Sequence, residues 1–382
     1  MRKHKLCVVC LLTILSLLLS GCWNYREINQ VTIVAGMAVD KLPDGRFLLT
    51  FEWVDPAGGK EGKTEPKIMH SEGYTVFDAI RNAIKTTGKK LYFSHTKLVI
   101  ISQDIAKNSI SPVTDWVIRD AEPRLELYIA ISKEKTASEI LDSSEEQSKS
   151  IRSYEISNIL RTQSSVAKST NIPSYRLINA LSSEGISATM PVIGTIKTDE
   201  KKVLDISGCA ILKGDKYVGL LNEDETKYLL FIRNRIRNPL LIEMVNSKTP
   251  NITLEVFNSK TRITPNYADE KLSMNIKINT EAAVSEIYNG IDYADENNRA
   301  ILIKQSEEHL ESDLVNLIKK VQNEYGTDIF GFATLTKANI PSVWRSIGSN
   351  WEQVFKKLEI SIDSDIKIRN EGDQGKPIRV GG

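Results

Sequence analysis

Cysteine and histidine are both scarce in this chain, with four of each among 382 residues. Cys7 and Cys10 fall in the first apolar run, leaving Cys22 and Cys209 for the rest of the chain. A disulfide framework is therefore excluded. His70, His95 and His309 do not fall at metal-ligand spacing, and there is no HExxH helix. No serine sits in a G-x-S-x-G elbow, and no pair of carboxylates has a catalytic pattern. Charge of one sign is also missing. Fifty basic and 49 acidic residues are intermixed, so no basic stripe points to nucleic acid and no polybasic block to a lipid surface. Fixed-period repeats are absent too.

The single long apolar run is Leu6–Leu19, preceded by Arg2, Lys3 and Lys5. As a helix its 14 residues reach about 21 Å. A bilayer core of about 30 Å needs roughly 20 residues. The run therefore fits the apolar region of an export signal better than a permanent span. It ends in Leu19-Ser20-Gly21-Cys22, which resembles the lipobox of bacterial lipoproteins. In that motif the Cys22 thiol is lipidated and cleavage makes it the first residue. The signal is then residues 1–21, and residues 22–30 form a tether. Removing 1–21 changes the formal net charge from +1 to −2.

The remaining roughly 360 residues allow two to three domains. Asp44-Gly45 joins two strand-like segments, Val31–Val39 and Arg46–Val54. Thr75 with Asp78 and Thr136 with Glu139 are capping boxes that open helices. Lys97–Ser102, Leu125–Ile131 and Ala188–Lys197 read as strands, and Ile151–Gln163 and Pro173–Ser183 as helices. The charged turn Thr198–Lys202 is a candidate boundary. Beyond it, Val203–Leu212 and Lys216–Leu220 suggest a hairpin around Gly214-Asp215. Leu240–Val245, Ile252–Ile263 and Lys271–Tyr288 suggest further strands. Asp295–Tyr325 is the longest helix, stopped by Gly326. The last strand alternates Ile360, Ile362, Ile366 and Ile368 with charged residues. Hairpin signals outnumber strand–helix–strand signals. The expected class is α+β, about three domains, with mainly antiparallel sheets flanked by helices. The modules are 31–197, divisible into 31–135 and 136–197, and 203–373, followed by a mobile tail over 374–382.

Several side chains invite a functional reading. Ala57-Gly58-Gly59-Lys60-Glu61-Gly62-Lys63-Thr64 matches a relaxed phosphate-loop pattern. Pro66 and Gly73 leave no room for the helix that such a loop must open, so a surface loop is expected. Asp115, Arg119, Asp120, Glu122 and Arg124 beside Trp116 are either a salt-bridge network or a partner-binding face. His95 is expected to be a hydrogen-bonded structural histidine rather than a site residue. Cys209, within an apolar strand, is expected to be buried and unreactive. Trp23 and Tyr25 either rest in lipid headgroups or pack on the first domain. No catalytic residue, cofactor or metal emerges.

Taken together, Gly21-Cys22-Trp23-Asn24, Gly73-Tyr74-Thr75-Val76-Phe77-Asp78-Ala79, Phe93-Ser94-His95, Gly208-Cys209-Ala210-Ile211 and Asp328-Ile329-Phe330-Gly331-Phe332 resemble the spore germination receptor C-subunit family, the Ger(x)C lipoproteins. The likeness covers nearly all of residues 20–373. Asn24 stands where the family usually has Asp. The resemblance implies a non-enzymatic subunit of a nutrient germinant receptor, lipid-anchored through Cys22 on the outer face of the spore inner membrane. Its implied partners are an integral membrane A subunit and a transporter-like B subunit. It also implies three α+β domains, the second near 136–197 and the third at 203–373. A nutrient-binding lipoprotein is the alternative, but such proteins have two lobes of alternating strands and helices, which this pattern lacks. An envelope enzyme has no motif behind it.

Overall fold

The computed structural model describes residues 2–5, 13, 30–54, 66–142, 150–198, 201–245, 247, 249, 251–288 and 290–369. Cys22, Trp23, Tyr25, the phosphate-loop-like segment 57–64 and the tail 374–382 lie outside the described residues. The described chain runs β1 (Val31–Lys41), β2 (Phe47–Val54), β3 (Pro66–Gly73), α1 (Val76–Asn82), α2 (Ile84–Thr87), β4 (Lys90–Tyr92) and β5 (Leu98–Ile101). Then come α3 (Gln103–Asn108), α4 (Ser111–Arg119), β6 (Tyr128–Ser132), α5 (Ser138–Asp142), α6 (Arg152–Val166), α7 (Ser174–Leu181), β7 (Thr189–Thr198) and β8 (Lys201–Asp205). The last part holds β9 (Cys209–Lys213), β10 (Lys216–Leu221), α8 (Glu223–Ile232), β11 (Leu240–Glu243), β12 (Ile252–Ala268) and β13 (Lys271–Ile287). It ends with α9 (Glu296–Lys320), α10 (Phe332–Asn339), α11 (Pro341–Ile347), α12 (Trp351–Lys356) and β14 (Glu359–Ile368).

The class is α+β. A ten-stranded sheet has the order β10-β9-β7-β6-β5-β1-β2-β3, with β4 beside β1 and β8 beside β7. A four-stranded sheet has the order β11-β12-β13-β14. Antiparallel ladders are the majority, but the middle of the large sheet is parallel. There β1 pairs with β5, β5 with β6 and β6 with β7, all in the same direction. Each of these steps needs a crossover, and helices supply it. The burial explains why the sequence hides the pattern. Val99 and Ile101 pack on one face of the sheet, with Met37, Val39 and Ile129. Leu98 and Ile100 pack on the other, with Ala38, Ala130, Ile156 and Leu160. A strand covered on both faces reads as a plain apolar run instead of an alternating one.

Two sequence-level strands are redrawn by the structure. Leu125 is exposed and the strand there begins at Tyr128. Val203–Leu212 is not one strand. Gly208 adopts φ +82° and breaks it into β8 and β9. A Cβ at Gly208 would lie 2.4 Å from the Leu221 carbonyl oxygen, so this turn requires glycine. At the charged segment Thr198–Lys202, β7 and β8 pair antiparallel, with Thr198 opposite Lys201 and Lys197 opposite Lys202. After it, β9 returns to pair with β7, and β10 pairs with β9.

The second sheet rests on α9, whose Leu302, Leu310, Leu314, Leu317 and Ile318 are buried. The helix closes with a π turn at Val321–Tyr325 and a left-handed Gly326. β14 runs parallel to β13. The edge of β14 is not left open. Glu311 on α9 accepts from the Ser364 backbone N–H at 2.8 Å, and Glu307 from that of Ile366 at 2.8 Å. Two acidic side chains thus take the place of a neighbouring strand. Cys209, Ile211 and Leu221 of the large sheet belong to the same apolar core as Leu254, Leu314 and Phe332.

Candidate functional site

The buried carboxylates serve the fold. Asp40 on β1 accepts from the backbone N–H of Ala137 at 2.7 Å and of Ser138 at 2.9 Å. Glu52 on β2 accepts from Arg152 N–H at 2.7 Å and Ser153 N–H at 2.8 Å. Each therefore holds the start of a helix, α5 or α6, against the sheet. The first N–H groups of a helix lack partners within it, and a negative charge there suits the helix dipole. Asp328 does the same for the loop before α10. It accepts from Phe330 and Gly331 at 2.9 Å and from Ala333 at 2.7 Å. Burial pushes the Asp328 carboxyl up, and these N–H donors oppose that push.

The sequence-singled residues are not brought together. Arg119 pairs with Asp115 one turn earlier on α4, exposed to solvent. Glu122 instead turns inward, pairing with Lys90 and accepting from Phe93 N–H at 3.2 Å. Asp120 accepts from the Glu122 backbone. The cluster is thus a set of local structural pairs around Trp116, which packs edge-on against Phe93. His95 is exposed beside Tyr92, and it is its backbone carbonyl that accepts from Tyr154 Oη. The expected hydrogen-bonded ring is not seen among the described residues. His309 reaches Glu243 Oε2 at 2.8 Å through Nδ1. Cys209 is buried, and burial pushes its thiol up to about 11. Among the described residues no group of three or more His, Cys, Asp or Glu is placed to hold a metal. None of the described helices is long and apolar enough to cross a membrane.

The feature that sequence reading passed over is a cleft of about 900 Å³ between α6, α7 and the segment after α8. Arg161, Arg176, Arg233, Arg235 and Arg237 line it. The sequence signal was Arg233-Asn234-Arg235-Ile236-Arg237, a local alternation lost in a chain of balanced charge. Arg161 and Arg176 reach it from α6 and α7, which no local pattern reveals. The Arg233 guanidinium donates to the Ile329 carbonyl at 2.8 Å and to Thr189 Oγ1 at 2.8 Å. Burial lowers its pKa, and neighbouring Arg235 lowers it further, against the opposing influence of Cys209 and Asp328.

Comparison with known proteins places this architecture. The family model of the spore germination protein N-terminal domain matches residues 24–195. The model described as spore germination B3/GerAC like, C-terminal, matches residues 207–372. Spore germination protein KC of Bacillus subtilis (strain 168) is 24% identical, over 99% of this chain and 98% of its own. Spore germination protein B3 of the same organism is 26% identical, over 94% and 96%. The crystal structure of the GerBC protein shares the fold, with a TM-score of 0.57 at 22% identity, over 88% of this chain and 97% of that one. With both family regions present in order along its length, this chain belongs to the spore germination receptor C-subunit family.

Proposed function

We propose that this chain is the lipid-anchored C subunit of a spore nutrient germinant receptor. In this reading acylated Cys22 holds it on the outer face of the spore inner membrane, beside integral membrane A and B subunits. The observation that carries the proposal is Leu19-Ser20-Gly21-Cys22 after a short apolar run, placed just before the first family region. Acyl chains contribute about 0.8 kcal/mol per buried CH₂, and two chains hold where one is marginal. Anchoring also raises the effective concentration of the chain near its partners.

Its role is to scaffold and couple, without catalysis. Nutrient binding at the membrane subunits shifts the receptor equilibrium, and this subunit transmits or stabilises that shift. The proposed modules are 31–197 and 203–373. β9 and β10 lie beyond Thr198–Lys202 yet belong to the large sheet, and Cys209, Ile211 and Leu221 also enter the C-terminal core. This favours a stiff body over two hinged lobes, as suits a coupling element. The test is intact-mass analysis of the protein extracted from spore membranes. The expected result is a chain starting at Cys22, carrying a diacylglyceryl group and co-purifying with the A and B subunits. A chain that retains residues 1–21, or lacks lipid and partners, would overturn the proposal.

A further inference from the structure

The arginine-lined cleft is more than a gap between packed parts. Among the described residues no Asp or Glu lines it. None of its five arginines forms a carboxylate salt bridge among the described residues. Neutral acceptors hold three of them instead. Arg233 is fixed by Ile329 O and Thr189 Oγ1, Arg161 by Asn158 Oδ1 at 3.1 Å, and Arg176 by Tyr175 Oη at 3.1 Å. Such bonds orient a guanidinium without neutralising it. Gathering charge of one sign in a concave site focuses a positive potential there, at some cost to the empty fold.

A second observation points the same way. Thr170 lines the cleft, is 0% exposed, and its hydroxyl has no hydrogen-bond partner among the described residues. A buried hydroxyl left unpaired is unfavourable, and such groups call for an explanation. The remaining wall is apolar, formed by Leu177, Leu230, Ile263 and Phe330 among others. A volume of about 900 Å³ is of small-molecule size and far exceeds an inorganic ion.

We propose that this cleft binds a soluble organic anion. Its carboxylate or phosphate group sits among the arginines, and as the wall gives way around it the Thr170 hydroxyl, covered in the empty cleft, donates to it; its apolar body lies on Leu230, Ile263 and Phe330. The wall comes from both the α6–α7 region and the C-terminal part, so the ligand ties the two together. The inference does not rest on the lipid anchor or on the partner subunits.

The test is calorimetry on the full chain in non-ionic detergent, with phenyl phosphate, inorganic phosphate and benzyl alcohol as probes. Phenyl phosphate is expected to bind saturably, roughly tenfold or more tighter than inorganic phosphate, with affinity falling as salt rises. Benzyl alcohol is expected not to bind. The R176Q/R235Q double variant is expected to lose roughly tenfold or more in affinity while melting as the parent does. Thr170→Val is expected to weaken binding yet leave the ligand-free chain at least as heat-stable, because it removes an unpaired hydroxyl. No saturable binding of phenyl phosphate, equal binding by R176Q/R235Q, or a less stable T170V chain would each overturn the proposal. So would binding of a Cys22→Ser chain to phosphatidylglycerol vesicles that R176Q/R235Q abolishes and phenyl phosphate does not compete with, since the anion would then be a lipid headgroup.

Discussion

Glu52 offers the sharpest test of how the fold is held. It lies on β2, 2% exposed, and its two carboxylate oxygens accept from the first two N–H groups of α6, a hundred residues away. Ile151, at the cap position of that helix, provides no side-chain bond of its own. The sheet therefore caps the helix. In Glu52→Gln one oxygen remains, while an NH₂ group faces the other N–H. The change removes a charge-assisted bond, strands a buried donor and withdraws a negative charge from the helix start. About 3 kcal/mol is a reasonable sum for these effects. In a protein of this size that lowers the melting temperature by roughly 4 °C. Thermal and urea denaturation of the full chain measure it, and hydrogen exchange should show α6 opening more readily than α9. Gly36→Ala strains the same junction, because its Cβ would fall 1.8 Å from Ser153 Oγ. The two changes should therefore be non-additive. A Glu52→Gln chain melting within about 1 °C of the parent would refute the idea that this carboxylate holds α6.

Two further outcomes follow from buried titratable groups. Cys209, with its thiol pushed up to about 11 by burial, should resist a thiol reagent at mild alkaline pH in the native chain and react fully on unfolding. Rapid labelling without denaturant would contradict its place in the core. Burial pushes the Glu243 carboxyl above 4.5, and Asp313 adds to that push, while His309 and Lys227 oppose it. The folded state then binds more protons than the unfolded one between 4.5 and the raised value, so this group's contribution to stability falls as pH rises through that window. Glu243→Gln removes that slope. Its stability relative to the parent should rise from about pH 4 to about pH 7, as urea denaturation at both values would show. A constant difference would refute the assignment.

The legibility of the fold follows from exposure. α9 and β14 each keep one face wet, so their periods of 3.6 and 2 stand out, and both lie where the sequence places them. The centre of the large sheet is dry on both faces, and its parallel order leaves no alternation to read. β3 leaves no signal for the opposite reason. It is an outer strand of Lys67, His70, Ser71 and Glu72, too polar to announce itself. Gly208 reads as an ordinary residue within an apolar run, because a left-handed backbone leaves no mark on the local pattern. The proposal for Cys22 rests on local sequence alone, and that residue lies outside the described residues. The arginine cleft is not legible there, because its arginines come from residues 161 to 237 and its far wall from 261 to 335, brought together by the packing of helices against the C-terminal core.

The central claim is that Cys22 makes this chain an anchored receptor subunit. The direct measurement compares Cys22→Ala and parent spores, with sister receptors removed, for dipicolinate release after nutrients and after a non-nutrient surfactant. The account predicts loss of the nutrient response, a normal surfactant response and protein missing from the membrane fraction. An unchanged nutrient response, with the Cys22→Ala protein still in the membrane, would contradict it.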